Sequence, residues 1–407
     1  MSYRLSATMS TDEMEKNAAA LGNVVDLFCG VSGFGLGAIN AGANVVASID
    51  KDSALTATHH ENLPSADLHL IDLANATPNK MARLLQRTYG SIDGVIGGPP
   101  CQGFSEIGRR DKGDERNSLL FQFAKIVNAV QPRYFVFENV PGLLFTNTKP
   151  MLDRALSSLS RNYDIPHPAV LDAKDYGVPT SRQRVFVIGF HKHMGIDPSF
   201  EGIQAKYGVK RATTVRHAIS DLPAPVYESW NEAPWRIWGR YPKLTQKRSA
   251  YAVSRKKLPD LMTLSNTEVR RNARKGLVSG VRGTNHTPQV VERLNRLTPG
   301  SSDPVSKCPR LTWDGVCPTL RAGTGPDRGS YQSIRPIHPA EPRVITLREA
   351  ARLQGFPDWY QFHATTWHGF RMLGNSVSPP VATVVLRHIA SLMNGSVCEN
   401  DACPTYG

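Results

Sequence analysis

The sequence predicts an α/β protein: a doubly wound, mostly parallel sheet in the N-terminal half, joined to a smaller, mixed and strongly basic segment. Two observations carry this. Short apolar runs near residues 24–28, 45–49, 68–71, 92–96, 134–137 and 185–190 alternate with helix-period segments near 34–41, 52–60, 78–88, 118–130 and 150–161. That alternation is the pattern of parallel strands covered by helices on both faces. After Phe190 it fades, and prolines, glycines and single aromatics become frequent, which marks a boundary near 191.

Taken in order, residues 1–22 are polar and read as a loose tail. The first apolar run leads into Asp26-Leu27-Phe28-Cys29-Gly30-Val31-Ser32-Gly33-Phe34-Gly35-Leu36-Gly37. Glycines at a strand-to-helix turn let a ligand lie against the backbone and the helix N-terminus. The second run ends in Asp50 and the third in Asp72. An acid at a strand end can accept hydrogen bonds from ribose hydroxyls or an adenine amino group, and can equally cap the next helix. Two such acids beside a Gly-rich turn favour an adenosine-containing ligand. The chain has no Gly-x-x-x-x-Gly-Lys-Ser/Thr phosphate loop.

The fourth run opens onto Gly97-Gly98-Pro99-Pro100-Cys101-Gln102-Gly103-Phe104-Ser105. A cysteine in a stiff Gly/Pro loop at the carboxyl end of a parallel strand is a candidate nucleophile, or else a small buried residue. The fifth run ends in Glu138-Asn139-Val140-Pro141-Gly142, which sets a carboxylate on a strand that would neighbour the cysteine loop. A thiol with a carboxylate that shares a proton suits attack on a polarised heterocycle. Further on, 346–354 reads as a helix with Thr346 at its N-cap and Glu349 three residues later, a capping box, and 379–393 as another.

Composition narrows the class. The chain has 407 residues, 40% of them hydrophobic, and no run of about 18 apolar residues to span a bilayer. Residues 1–22 do not have the pattern of a signal peptide. The six cysteines form no CxxC pair or metal-ligand cluster, which points to free thiols in a reducing compartment and no metal. The charge is uneven. Residues 191–330 carry 24 Lys/Arg against 11 Asp/Glu, the whole +13 excess of the chain. Trp230, Trp235, Trp238, Tyr241 and Tyr251 lie among or just before the basic residues. A segment holding all the excess charge fits a polyanion whose phosphates would be met by cations such as Arg255, Lys256 and Lys257.

Asp26–Gly37, Gly97–Ser105, Phe137–Gly142 and Gly374-Asn375-Ser376-Val377 together resemble the ordered motifs of DNA cytosine-5 methyltransferases of the restriction-modification type. Glu115–Phe121, Asp175–Pro179 with Arg182-Gln183-Arg184, and Arg343–Pro357 fit the same order. Thr180 departs from the pattern, standing where the family usually has Gln, and so does Met372.

The resemblance implies a Rossmann-like methyltransferase fold in which the last helix returns to the first domain. That would give a tail at 1–22, a catalytic domain at 23–190 and 371–407, and a target-recognition domain at 191–370. It implies methyl transfer from S-adenosylmethionine to C5 of cytosine in duplex DNA, on a flipped-out base, with Cys101 adding to C6. Glu138 would act at N3, Arg184 at O2, and Arg182 would support the loop. By match of position, Phe28, Gly30, Gly33, Asp50 and Asp72 would line the cofactor pocket. So would Leu73, Pro100, Leu119, Asn375 and Val377. Ser105, Thr319 and Leu320 would meet DNA. A monomer in the cytoplasm, nucleoid-associated and away from membranes, is expected, with a cognate restriction endonuclease as a candidate partner. A transfer-RNA methyltransferase of the same fold, or an inactive DNA-binding relative, are the alternatives; the long basic segment disfavours the first.

Overall fold

Alternation along the strands decides which side chain faces which helix layer, and the fold follows from it. The computed structural model describes residues 10–100, 118–227, 237–243, 247–259, 266–322 and 335–400, with 118 and 396–400 described by backbone alone. Strands β1 (Asn23–Leu27), β2 (Asn44–Asp50), β3 (Asp67–Leu70), β4 (Gly94–Gly97) and β5 (Tyr134–Asn139) are parallel, in spatial order β3-β2-β1-β4-β5. Three further strands are β6 (Tyr163–Asp164), β7 (Ala169–Asp172) and β9 (Gln183–His191). β9 runs antiparallel to β5, and β6 and β7 pair antiparallel with β9. The sheet is thus mixed and mostly parallel. A two-residue strand, β8 (Thr180–Ser181), precedes β9.

Helices α1 (Thr11–Leu21), α2 (Gly33–Ala41), α3 (His59–Asn62), α4 (Pro78–Tyr89), α5 (Ser118–Val130) and α6 (Lys149–Leu159) connect and cover these strands. Val25, Val95, Phe135 and Phe137 face the layer of α4, α5 and α6, while Val24, Ile96 and Val136 face the layer that contains α2. Neighbouring residues on one strand enter opposite cores, as a period of two requires. α5 buries Leu120, Phe123, Ala124 and Val127, the i, i+3, i+4, i+7 stripe of a core-facing helix.

Beyond β9 the chain forms short elements. They are α7 (Ile203–Tyr207), α8 (Val215–Ile219), β10 (Trp238–Arg240), α9 (Ala250–Lys256), α10 (Thr267–Arg274), β11 (Leu277–Ser279), α11 (Pro288–Asn295) and β12 (Cys317–Pro318). β10 pairs antiparallel with β11. Many apolar residues of this segment, among them Ile196, Val215, Leu311 and Leu320, join the same core as α2. Smaller clusters form around Ile237, Val278 and Val281, and around Leu294, Cys308 and Ile337. The chain then returns through α12 (Leu347–Leu353), α13 (Thr366–Asn375) and α14 (Pro379–Asn400). α12 has the expected capping box between Thr346 and Glu349. α14 packs along α2: a Cβ on Gly37 would come within 2.3 Å of the Ala382 Cβ, so only glycine lets the two helices meet.

Two expectations are corrected. Residues 11–21 are a helix, not a loose tail. Ser10 caps it by accepting the Glu13 N–H, Ala20 and Leu21 are buried, and it packs on α14. The segment 52–60 is mostly turns followed by α3. The Asp52 carboxylate accepts the N–H groups of Ala54 and Leu55 and pairs with Arg371, which holds the turn in place of a continuous helix.

Candidate active site at the carboxyl edge of the sheet

The turn after β1 takes left-handed backbone at Phe28 (φ 59°), Gly30 (φ 51°) and Ser32 (φ 58°). A Cβ on Gly30 would meet no atom within 4 Å, so the turn leaves open space against its own backbone. Asp50, at the end of β2, holds it. Asp50 Oδ2 accepts the Gly30 N–H at 2.9 Å and Oδ1 accepts the Asp52 N–H at 2.9 Å. A carboxylate offers about four lone-pair sites, so about two remain. Burial pushes the Asp50 carboxyl up, opposed by these amides. Beneath the turn Asp26 is buried on β1. Its Oδ2 accepts the Gly35 N–H at 3.1 Å, while Oδ1 has no partner among the described residues. Burial pushes this carboxyl up to about 8; the Gly35 amide opposes the shift and the Asp50 charge adds to it.

The C-terminal return completes this edge. Ser376 and Val377 lie against Gly33, where a Cβ would come within 2.0 Å of Ser376 Oγ and 2.4 Å of the Val377 carbonyl. Tyr360 donates to the Val31 carbonyl at 2.6 Å. Leu73, Leu119 and Val377 are buried, and Pro100 and Asn375 are exposed. Asp72 has local partners: Oδ1 accepts the Ala74 N–H, and Oδ2 accepts from Asn75 and pairs with Lys51 at 3.3 Å. Asp72 is therefore built into a turn as well as standing at a strand end.

Glu138, on β5, is buried, and its Oε1 lies 2.8 Å from Arg184 Nε on β9. The antiparallel register sets Glu138 opposite Phe186, two residues from Arg184, so the pair spans a cross-strand diagonal. Burial pushes the Glu138 carboxyl up, with Arg184 and then Arg182 opposing. A Cβ on Gly98 would lie 3.6 Å from Glu138 Oε2, and Asn139 Nδ2 donates to the Pro99 carbonyl at 3.2 Å. The carboxylate thus abuts the chain that leads into Cys101. Cys101, Ser105 and residues 115–117 lie outside the described residues.

Arg182 is buried and donates to three carbonyls: Leu320 at 3.0 Å, Gly374 at 2.9 Å and Ser376 at 2.8 Å. It is a tie between three stretches of chain and touches Glu138 only through its field. Thr319 Oγ1 donates to the Ser181 carbonyl at 2.7 Å.

Sequence reasoning did not single out Asp26, Asn139, Thr180 or Tyr360 as site residues. Asp26 and Asn139 sit inside the quoted motifs, so position beside Phe28 and Glu138 was the available signal. Tyr360 had none.

The basic cations differ in what they do. Arg255 lies over the Tyr251 ring at 5.2 Å and donates to the Gly355 carbonyl. Lys256 Nζ sits 3.4 Å from the centre of the Tyr241 ring, and burial, then Arg248, pull its ammonium down. Of the three cations expected to meet phosphates, Lys257 is exposed, and Arg255 and Lys256 are half-buried over their aromatic rings. Arg271 and Arg274 on α10 are exposed as well. Trp230 and Trp235 lie outside the described residues. Among the described residues no helix is long and apolar enough to cross a membrane.

The chain is similar to known proteins. The family model for C-5 cytosine-specific DNA methylases matches residues 22–391. The Type II methyltransferase M.XorII of Xanthomonas oryzae is 39% identical over 365 residues, covering 89% of this chain and 82% of that protein. The Type II methyltransferase M.DdeI of Desulfomicrobium norvegicum is 30% identical, covering 93% and 91%. A crystal structure of an E. coli prophage protein, described as a DNA modification methyltransferase, superposes with a TM-score of 0.79 at 37% identity, covering 91% of this chain and 99% of that one.

Proposed function

This chain belongs to the family of C-5 cytosine-specific DNA methylases, and from that premise we propose that it methylates one cytosine within a specific duplex sequence through a covalent adduct on Cys101. It is a DNA (cytosine-5) methyltransferase of the type II restriction-modification kind. The observation that supports the finer reading is the buried Glu138–Arg184 pair, whose carboxylate lies against Gly98, three residues before Cys101, beside an Asn139 that holds the Pro99 carbonyl.

The chemistry asks for those groups. Cytosine C5 is a poor nucleophile. The Cys101 thiolate adds to C6, and the electron pair released makes C5 enamine-like. The Glu138 carboxyl, whose hold on a proton burial strengthens, donates at N3, where negative charge would otherwise build. Arg184 serves two partners, Glu138 and the base O2. After methylation the C5 proton leaves to a base and β-elimination returns the sulfur of Cys101. These atoms are stacked inside a duplex, so the cytosine is flipped into the site.

The residues at the carboxyl edge fit S-adenosylmethionine as the donor. The space over Gly30 admits a ligand against the backbone, the two remaining acceptor sites of Asp50 suit ribose hydroxyls, and Asp72 suits the adenine amino group. Phe28, Gly33, Leu73, Pro100, Leu119, Asn375 and Val377 complete the proposed pocket. The cofactor would supply an activated methyl group on a sulfonium.

On this reading residues 23–190 with 371–407 are catalytic and 191–370 recognise DNA, through Thr319, Ser105 and exposed cations, while Leu320, expected to meet DNA, is buried in the core instead. The enzyme works as a monomer on chromosomal DNA in the cytoplasm, with or without a cognate endonuclease. The test is a duplex carrying 5-fluorocytosine, incubated with enzyme and S-adenosylmethionine. A denaturation-resistant protein–DNA complex is expected, absent for Cys101→Ser. Adduct formation by Cys101→Ser, or methyl transfer to tRNA and not to duplex DNA, would overturn the proposal.

A further inference from the structure

The end of the basic segment meets the chain just before β9 through a ladder of two residue pairs. β12 lies parallel to β8, with Cys317 beside Thr180 and Pro318 beside Ser181. The Cys317 N–H donates to the Pro179 carbonyl at 2.9 Å, and Pro318 has no N–H to add. Side chains complete the ladder. Thr180 Oγ1 donates to the Cys317 carbonyl at 3.0 Å, with the Pro318 carbonyl at 3.4 Å. Thr319 donates to Ser181 and Arg182 to Leu320. Thr180 and Cys317 are both fully buried, so water cannot replace a lost donor. Thr180 also stands two residues before Arg182 and four before Arg184, on the chain that carries both guanidinium groups.

We propose that Thr180 is a positioning residue whose hydroxyl sets the register of residues 317–320 against the strand bearing Arg182 and Arg184. In a strand, a slip of one residue sends every side chain to the opposite face. Such a slip would turn Thr319 away from Ser181 and carry the Leu320 carbonyl off Arg182. Arg182 also holds the Gly374 and Ser376 carbonyls. The Thr180 hydroxyl therefore fixes the end of the recognition segment relative to both the Glu138–Arg184 pair and the 374–376 turn. The inference rests on the reading of that pair as the group that meets the target base. It also accounts for a threonine where the family usually has the longer Gln: a short hydroxyl reaches the adjacent carbonyl of a strand packed directly alongside.

The experiment compares the full chain with Thr180→Val, which keeps shape and removes the donor, and Thr180→Ser, which keeps the donor. Steady-state methylation of duplex DNA, S-adenosylmethionine binding by calorimetry, and hydrogen exchange at Cys317, Thr319, Leu320 and Arg321 are measured on each. Removing the hydroxyl donor from the buried Cys317 carbonyl should lower kcat by about tenfold in Thr180→Val, with KM for the cofactor within about twofold. Exchange at 317–321 should quicken, and Thr180→Ser should recover both. Wild-type kcat and protection in Thr180→Val would overturn the proposal. So would a uniform loss of cofactor binding and activity that Thr180→Ser does not recover. If the wild-type chain modifies no duplex DNA, the proposed function fails, while exchange at 317–321 still judges the register.

Discussion

Asp26 makes stability fall as pH rises, and the size follows from its surroundings. The folded state holds its carboxyl proton up to about 8, against 3.8 ordinarily, chiefly because the group is buried on β1. Between those values the native state keeps a proton that the unfolded chain has released. Raising the pH therefore favours unfolding, by about 1.36 kcal/mol per unit. From pH 5 to pH 7 the loss assigned to Asp26 is about 3 kcal/mol. Asp26→Asn removes the titration and keeps a carboxamide oxygen for the Gly35 N–H. The assay is urea unfolding of both proteins at pH 5, 6 and 7, followed by tryptophan fluorescence, with unfolding free energies subtracted at each pH. Relative to wild type, the variant should gain about 3 kcal/mol across this range, whatever its stability at pH 5. A difference that stays constant within about 1 kcal/mol would refute the reasoning and mean that Asp26 is ionised in the native protein.

Three further outcomes are expected. Glu138→Gln should lower methyl incorporation into duplex DNA by about 100-fold or more while the thermal melt stays close to wild type; retained activity would remove Glu138 from the chemistry. Arg352 is fully buried and pairs with Asp358 at 2.5 Å and Asp221 at 2.9 Å. Arg352→Met takes the cation from Asp358, leaves Asp221 with Arg248 alone, and should cost about 3–5 kcal/mol in thermal unfolding, part of it recovered by Asp358→Asn. Neutralising Lys257, Arg271 and Arg274 should flatten the log–log salt dependence of DNA binding by about 0.9 per lost phosphate contact. Arg255→Gln and Lys256→Gln should instead lower the melting temperature and leave that slope unchanged.

The sequence by itself determined what is encoded in short windows. Short apolar runs placed the six main strands, and the helix-period segment at 118–130 and the Thr346–Glu349 capping box placed two of the helices, because each of these signals lies within a few residues of chain. The turn after β1 was legible for the same reason: glycines at 30, 33, 35 and 37 serve few other purposes. Glu138 and Arg184 were legible as motif residues, though nothing local says that they touch. Tertiary structure alone decided that contact, since it depends on β9 running antiparallel to β5 in one register. It also decided that Arg182 joins carbonyls at 320, 374 and 376, and that Ser376 and Val377 press on Gly33. The helix at 11–21 escaped notice because its buried face is little more than Ala20 and Leu21 and becomes apolar only against α14. The charge of Arg255 and Lys256 is visible in the sequence, and the aromatic ring against which each lies is not. In each case the deciding neighbour is distant along the chain, and burial, which sets the energy of a charge or a hydrogen bond, exists only once that neighbour has arrived.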